Sequence, residues 1–224
     1  MCGRYTQHAP WRELFEYFNL LGPPQNVRAR YNIAPTQDAP VVRRTESGDC
    51  ELVMLRWGLV PFWAKDTKIG YKTINARSET VAKKPSFRSA YKKRRCLIPS
   101  TGFYEWMRTP EGKVPYHIVP TEFLWAFAGL WERWDKGDDG PIESFTILTT
   151  EATHTIKHIH PRMPTILAPN DYDTWLDAEA DTDTLADLAK KQFPNNKMRA
   201  YPVSTRVNTP KNDEAELIEE VKAA

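Results

Sequence analysis

The feature that most limits what this chain can become is a hairpin pattern that recurs along it. Ala39 to Thr45 and Cys50 to Trp57 are strand-like runs flanking Glu46-Ser47-Gly48-Asp49, a turn-forming tetrapeptide. Gly102 to Met107 and Val114 to Val119 repeat the arrangement around Pro110-Glu111-Gly112. Further strands are expected at Cys96 to Pro99, Leu124 to Trp131, Ser144 to Thr150 and Arg199 to Val203, with an acidic, glycine-containing loop at Asp135 to Gly140. Eighteen prolines against ten glycines fit short strands and many connections.

Helices are fewer. Trp11, Leu14, Phe15 and Phe18 recur at helical spacing between Pro10 and Gly22-Pro23-Pro24. Helical stretches are also expected around Phe87 to Lys93, Tyr172 to Leu176 and Leu185 to Phe193, with a charged helix from Asp213 to Val221. Arg30 to Pro35 reads as an irregular connector and Trp57 to Trp63 as an aromatic loop. No repeat, low-complexity linker or clean boundary divides the chain. The expectation is one α+β domain over residues 1–224, with a curved, largely antiparallel, barrel-like β-sheet core and peripheral helices.

Charge and cysteine usage narrow the function classes. Thirty-one basic and 29 acidic residues leave a net charge of +2, so polyanion binding needs a local patch. Cys2, Cys50 and Cys96 are odd in number and far apart, which gives neither a disulfide framework nor a paired-cysteine metal knuckle. No signal peptide and no apolar run of transmembrane length are seen. An intracellular, reducing location is expected: the cytoplasm, at the nucleoid in a bacterial cell, or the nucleus in a eukaryotic one. Eight tryptophans are many, and stacking surfaces are one use for the surplus.

Chemistry concentrates at a few places. In Met1-Cys2-Gly3-Arg4, removal of Met1 would leave a 1,2-aminothiol. An α-amine titrates near ~8 and a thiol near ~8.5, so both supply some nucleophile at neutral pH. Such a group attacks aldehydes through an imine that the thiol closes to a thiazolidine; alternatively the amine serves as base for the thiol. A chance cysteine at a disordered terminus is the plain alternative.

Glu105 lies between Tyr104 and Trp106 and is either a desolvated acid–base group or an exposed strand residue. His158-Ile159-His160-Pro161-Arg162-Met163-Pro164 holds a possible proton shuttle, a metal pair or a passive loop. Asn75 and Arg77 suit an oxygenated or phosphorylated ligand, or merely cap a loop. Lys92-Lys93-Arg94-Arg95, with Lys83, Lys84 and Arg88 upstream, either tracks a phosphate backbone or forms a solvated helix end. Trp57, Phe62, Trp63 and Trp106 are stacking candidates or core.

Taken together, the ordered set MCGR, YNIAP at Tyr31 to Pro35, WGLVPFW at Trp57 to Trp63, INARSET at Ile74 to Thr80, RRCLIPSTGFYEW at Arg94 to Trp106, IHPRMP at Ile159 to Pro164 and VSTRVN at Val203 to Asn208 resembles the SOS response-associated peptidase (SRAP) family from end to end. That resemblance implies a sensor of abasic sites in single-stranded DNA that forms a covalent DNA–protein crosslink. It places catalytic roles on Cys2, Asn75, Glu105 and His160. It places DNA contacts on Gly3, Arg4, Trp63, Arg77, Trp106 and Arg162. The implied partner is single-stranded DNA containing abasic sites, with no membrane, no metal and no organic cofactor, and the protein is expected to be monomeric. The family name also records a proposed peptidase, and self-cleavage of Met1 or of a longer leader would use the same thiol. Two other readings stay open: an N-terminal-cysteine amidohydrolase or peptidase, and a non-covalent single-stranded DNA-binding module.

Overall fold

A computed structural model of the chain describes residues 2–137 and 140–222. The strands are β1 (Tyr5–Gln7), β2 (Arg30–Ile33), β3 (Asp38–Arg44), β4 (Cys50–Trp57), β5 (Asn75–Arg77), β6 (Arg95–Ser100), β7 (Gly102–Thr109), β8 (Gly112–Pro120), β9 (Trp125–Trp134), β10 (Ile142–Glu151), β11 (Arg162–Pro164), β12 (Ile166–Leu167) and β13 (Met198–Pro202). The α-helices are α1 (Trp11–Tyr17), α2 (Arg88–Lys93), α3 (Tyr172–Leu176) and α4 (Thr182–Lys190). Both expected hairpins form, β3 with β4 and β7 with β8. The loop expected at Asp135 to Gly140 lies partly outside the described residues, at positions 138 and 139.

One sheet closes on itself. β3 pairs β4, β4 pairs β10, β10 pairs β9, β9 pairs β6, and β6 returns to β3 at Val42↔Leu97. The β4–β10 pairing is parallel and the other four are antiparallel, so the ring is a mixed five-stranded barrel. The second sheet runs β13-β8-β7-β1-β2 and is antiparallel throughout. The fold is α+β, as expected.

Strand alternation divides the core. On β6, Cys96 and Ile98 join a cluster with Trp57, Phe127, Phe145 and Ile147, into which the second sheet sends Tyr5, Phe103 and Ile118. Leu97, Leu130 and Leu148 face the other way, against helical residues Leu14, Trp175 and Leu185. Gly129 on β9 allows this packing, because a Cβ there would stand 2.0 Å from Ile98 Cδ1 and 3.0 Å from Cys96 Sγ.

Two expectations are corrected, and one left open is decided. Arg30 to Pro35 is not wholly irregular: Arg30–Ile33 pairs with β1, with Tyr5 opposite Ile33. Asn75–Arg77 is extended, a short strand parallel to β10. Asp213 to Val221 holds only a 3-10 turn at Ala215–Ile218. There the Asp213 carboxylate accepts the backbone N–H groups of Tyr31 and Asn32, and Val221 N–H bonds Pro202 O, so tertiary bonds replace a helical ladder.

Candidate active site

The Cys2 segment is placed by the second sheet. β1 lies between β2 and β7. Just before it, the Tyr104 N–H donates to Arg4 O at 2.9 Å. Cys2 is fully buried in the cluster that contains Tyr5, Ile33, Trp57 and Ile159. Its thiol sits 3.8 Å from Arg4 O. Burial first, and the charge of Glu105 second, push that thiol well above its ordinary range.

Asn75 reaches Cys2 from the barrel. Its position is set twice: the buried Trp57 indole donates to Ile74 O at 2.9 Å, and Asn75 itself lies opposite Ile147 in the β5–β10 register. Asn75 Nδ2 donates to Cys2 O at 2.7 Å. Asn75 Oδ1 is buried and accepts no hydrogen bond among the described residues.

Glu105, on β7, is buried, and burial raises its carboxyl above the usual carboxylate range while His160 pulls against it. His160 Nδ1 lies 3.9 Å from Glu105 Oε1. The same nitrogen is 3.0 Å from both the N–H and the carbonyl of Arg162. A neutral Nδ1 accepts the first, and a protonated Nδ1 donates to the second, so the ring keeps a partner in either state. Cys2, Asn75, Glu105 and His160 therefore converge.

The expected DNA contacts are more scattered. Gly3 and Arg4 are half-buried. The Arg4 guanidinium donates at 2.7 Å to both Asn32 Oδ1 and Val207 O, and lies 5.9 Å from the Trp106 ring centre. Trp106 donates to Asn208 Oδ1 at 2.7 Å. Arg162 is committed to Glu79 through both terminal nitrogens and to Thr149 O at 2.5 Å, and its guanidinium holds Glu79 below the usual carboxylate range. Arg77 is exposed beside Asn75, and Trp63 lies apart, donating to Pro85 O at 3.4 Å.

Sequence reasoning missed Asn32 as a hub. Its Nδ2 donates to Val207 O, Thr209 O and Asn212 O, so it fastens the segment after β13 to β2. Its place inside YNIAP was the available signal. Among the described residues, no group of three His, Cys, Asp or Glu side chains is placed to hold a metal, and no helix is long and apolar enough to cross a membrane.

The family model described as SOS response associated peptidase (SRAP) matches residues 1–210. The chain belongs to the SRAP family. Among SRAP relatives, it is 42% identical over 98% of its length to the abasic site processing protein YoqW of Bacillus subtilis (strain 168), covering 99% of that protein. It is 33% identical to the abasic site processing protein HMCES of Gallus gallus, over 85% of this chain and 66% of that one. A crystal structure of a protein from Bacteroides thetaiotaomicron superposes with a TM-score of 0.88 at 27% identity, covering 98% of this chain and all of the other.

Proposed function

We propose that this SRAP protein processes abasic sites in single-stranded DNA by forming a thiazolidine crosslink through Cys2 once Met1 is removed. The observation that carries the reading is the meeting of Cys2 with Asn75, whose buried Oδ1 has no partner among the described residues, and with the raised carboxyl of Glu105. The names of the YoqW and HMCES relatives support it.

The chemistry follows from the aminothiol. His160 moves the proton that opens the sugar hemiacetal to its aldehyde. The neutral Cys2 amine attacks C1′, forming a C–N bond, and its proton passes to the oxygen to give the carbinolamine. Glu105, protonated, donates to that hydroxyl as water leaves, and its carboxylate takes the remaining nitrogen proton as the imine forms. The Cys2 sulfur then adds to the imine carbon, and the thiol proton passes to nitrogen. The net change is aldehyde plus aminothiol to thiazolidine plus water, with no oxidant or reductant. Asn75 Oδ1 holds the amine in line, which lowers the entropic cost of attack.

The buried thiol favours this order. A sulfur kept protonated at neutral pH is a poor first nucleophile, whereas amine attack needs no thiolate. In DNA contact, exposed Arg77 is the ready phosphate ligand, joined by Gly3, Arg4, Trp106 and Arg162, with Trp63 standing apart from them.

The test is incubation of Met1-free protein, confirmed by intact mass, with an abasic single-stranded oligonucleotide. A heat-stable, denaturant-resistant adduct at the summed mass minus one water is expected. No adduct from protein with a free Cys2 sinks the reading, and Cys2-dependent ammonia release from glutamine would replace it with amidohydrolysis.

A further inference from the structure

The segment after β13 forms a tightly held turn beside the Cys2 end of the chain. Thr205–Asn208 is a 3-10 turn, and its Val207 is fully buried in a cluster with Tyr104, Val203 and Leu217. Asn32 Nδ2 pins the turn to β2 through Val207 O, Thr209 O and Asn212 O. Asn212 Nδ2 in turn donates to Arg206 O at 2.8 Å.

Two consecutive residues of that turn each engage one side chain of the interface. Val207 O accepts the Arg4 guanidinium at 2.7 Å, and Asn208 Oδ1 accepts the Trp106 indole N–H at 2.7 Å. The guanidinium carbon lies 5.9 Å from the centre of the indole. Both partners of Arg4, Val207 O and Asn32 Oδ1, are neutral acceptors, so its charge is not cancelled by a carboxylate among the described residues.

Asn208 does little for the turn itself. The turn is closed by Thr209 N–H on Arg206 O and by Arg206 N–H on Ser204 Oγ. Asn208 is exposed, and among the described residues the bond from Trp106 is the one hydrogen bond of its side chain. That bond adds little to stability, because the N–H of a half-buried indole otherwise donates to water at nearly equal energy. What it fixes is direction. A bond from the indole to the residue next to Val207 sets the ring's rotamer and its spacing from the guanidinium.

We propose that Asn208 is a positioning residue for DNA binding: by accepting the Trp106 indole N–H, it holds the ring in a fixed relation to Arg4 before the strand arrives. The proposal rests on the reading of Arg4 and Trp106 as DNA contacts, and Asn208 acts through the ring. A ring already held loses less freedom when the strand binds, so the effect falls on affinity. The chemistry is untouched, since among the described residues no hydrogen bond joins Asn208 to Cys2, Asn75, Glu105 or His160.

The test is single-turnover crosslinking of an abasic oligonucleotide, followed against DNA concentration, for the parent, Asn208→Ala, Trp106→Phe and the double variant, all free of Met1. Trp106→Phe keeps an aromatic ring and lacks the N–H. Asn208→Ala is expected to raise the half-saturating DNA concentration about three- to tenfold, with the maximal rate unchanged. In the Trp106→Phe background the same substitution is expected to change nothing, because the bond it removes is already absent. Equal half-saturation for parent and Asn208→Ala overturns the proposal. So does an equal effect in both backgrounds, or a loss confined to the maximal rate. If the parent forms no adduct, the reading of Cys2 fails. Anisotropy of the same four proteins with a lesion-free oligonucleotide then decides Asn208 separately: weakening that vanishes in the Trp106→Phe background upholds it, and no weakening, or equal weakening in both, ends it.

Discussion

Cys2 and Cys96 are both fully buried, sit in one apolar cluster, and have thiols pushed well up by burial. Their surroundings differ. Around Cys96 lie Ile98 and the bare backbone of Gly129, and its own carbonyl accepts the Trp175 indole at 3.0 Å. Around Cys2 lie the Asn75 amide, the Glu105 carboxyl and, beyond it, His160. Depth and thiol titration therefore do not tell the two cysteines apart, whereas their polar company does.

The comparison breaks most visibly by truncating each sulfur. Cys2→Ala is expected to abolish the heat-stable adduct and leave at most an imine that borohydride traps. Cys96→Ala should crosslink like the parent while losing about 1–2 kcal/mol in urea denaturation. A folded Cys96→Ala protein without crosslinking would erase the distinction drawn between the two sites.

Replacing the carboxyl that sets Cys2 apart comes next. Glu105→Gln is expected to slow adduct formation by on the order of 10²–10⁴-fold. Its stability should move the opposite way. Because burial raises the Glu105 pKa, the folded state holds that proton more tightly than the unfolded state. Stability then falls as pH rises from the ordinary carboxylate range through the raised value. The glutamine variant escapes that loss, so urea midpoints should favour it at pH 7.5 and converge with the parent below about pH 4. A variant less stable than the parent at pH 7.5 would mean that the ionised carboxylate is more than compensated in place.

The smallest effect belongs to the amide. Asn75→Ala removes one hydrogen bond to Cys2 O and the unfilled acceptor, and single-turnover crosslinking is expected to slow about 3–10-fold. An unchanged rate would remove Asn75 from the chemistry and leave it a brace.

How far this was legible depends on the reach of each signal. The β3–β4 and β7–β8 hairpins were, because turn chemistry and alternation act over a few residues. The barrel's closure was not, since β10 meets β4 in parallel across about 90 residues of chain and no local pattern encodes a partner that far away. The Asp213 to Val221 segment looked helical by composition, but its first carboxylate is spent on β2. Cys2, Asn75, Glu105 and His160 were named only through the family resemblance that the ordered motifs carry together, since each residue taken singly left a plain alternative open, and the structure brings the four close to one another. Asn32 was overlooked because what it does depends on carbonyls some 175 residues later.

That last dependence sets a clock. The Arg4 guanidinium is seated by Asn32 and by the carbonyl of Val207, so this seat is complete only when nearly the whole chain has been made, although Asn75 and Tyr104 are there to hold the backbone of Cys2 and Arg4 much sooner. At ribosomal speeds of about 5–20 residues per second, the interval from the emergence of Cys2 to that of Val207 is on the order of 10–40 s. During it the Arg4 side chain has one of its two acceptors and lacks the other, so the last segment made is the one that completes the seat of a residue near the start.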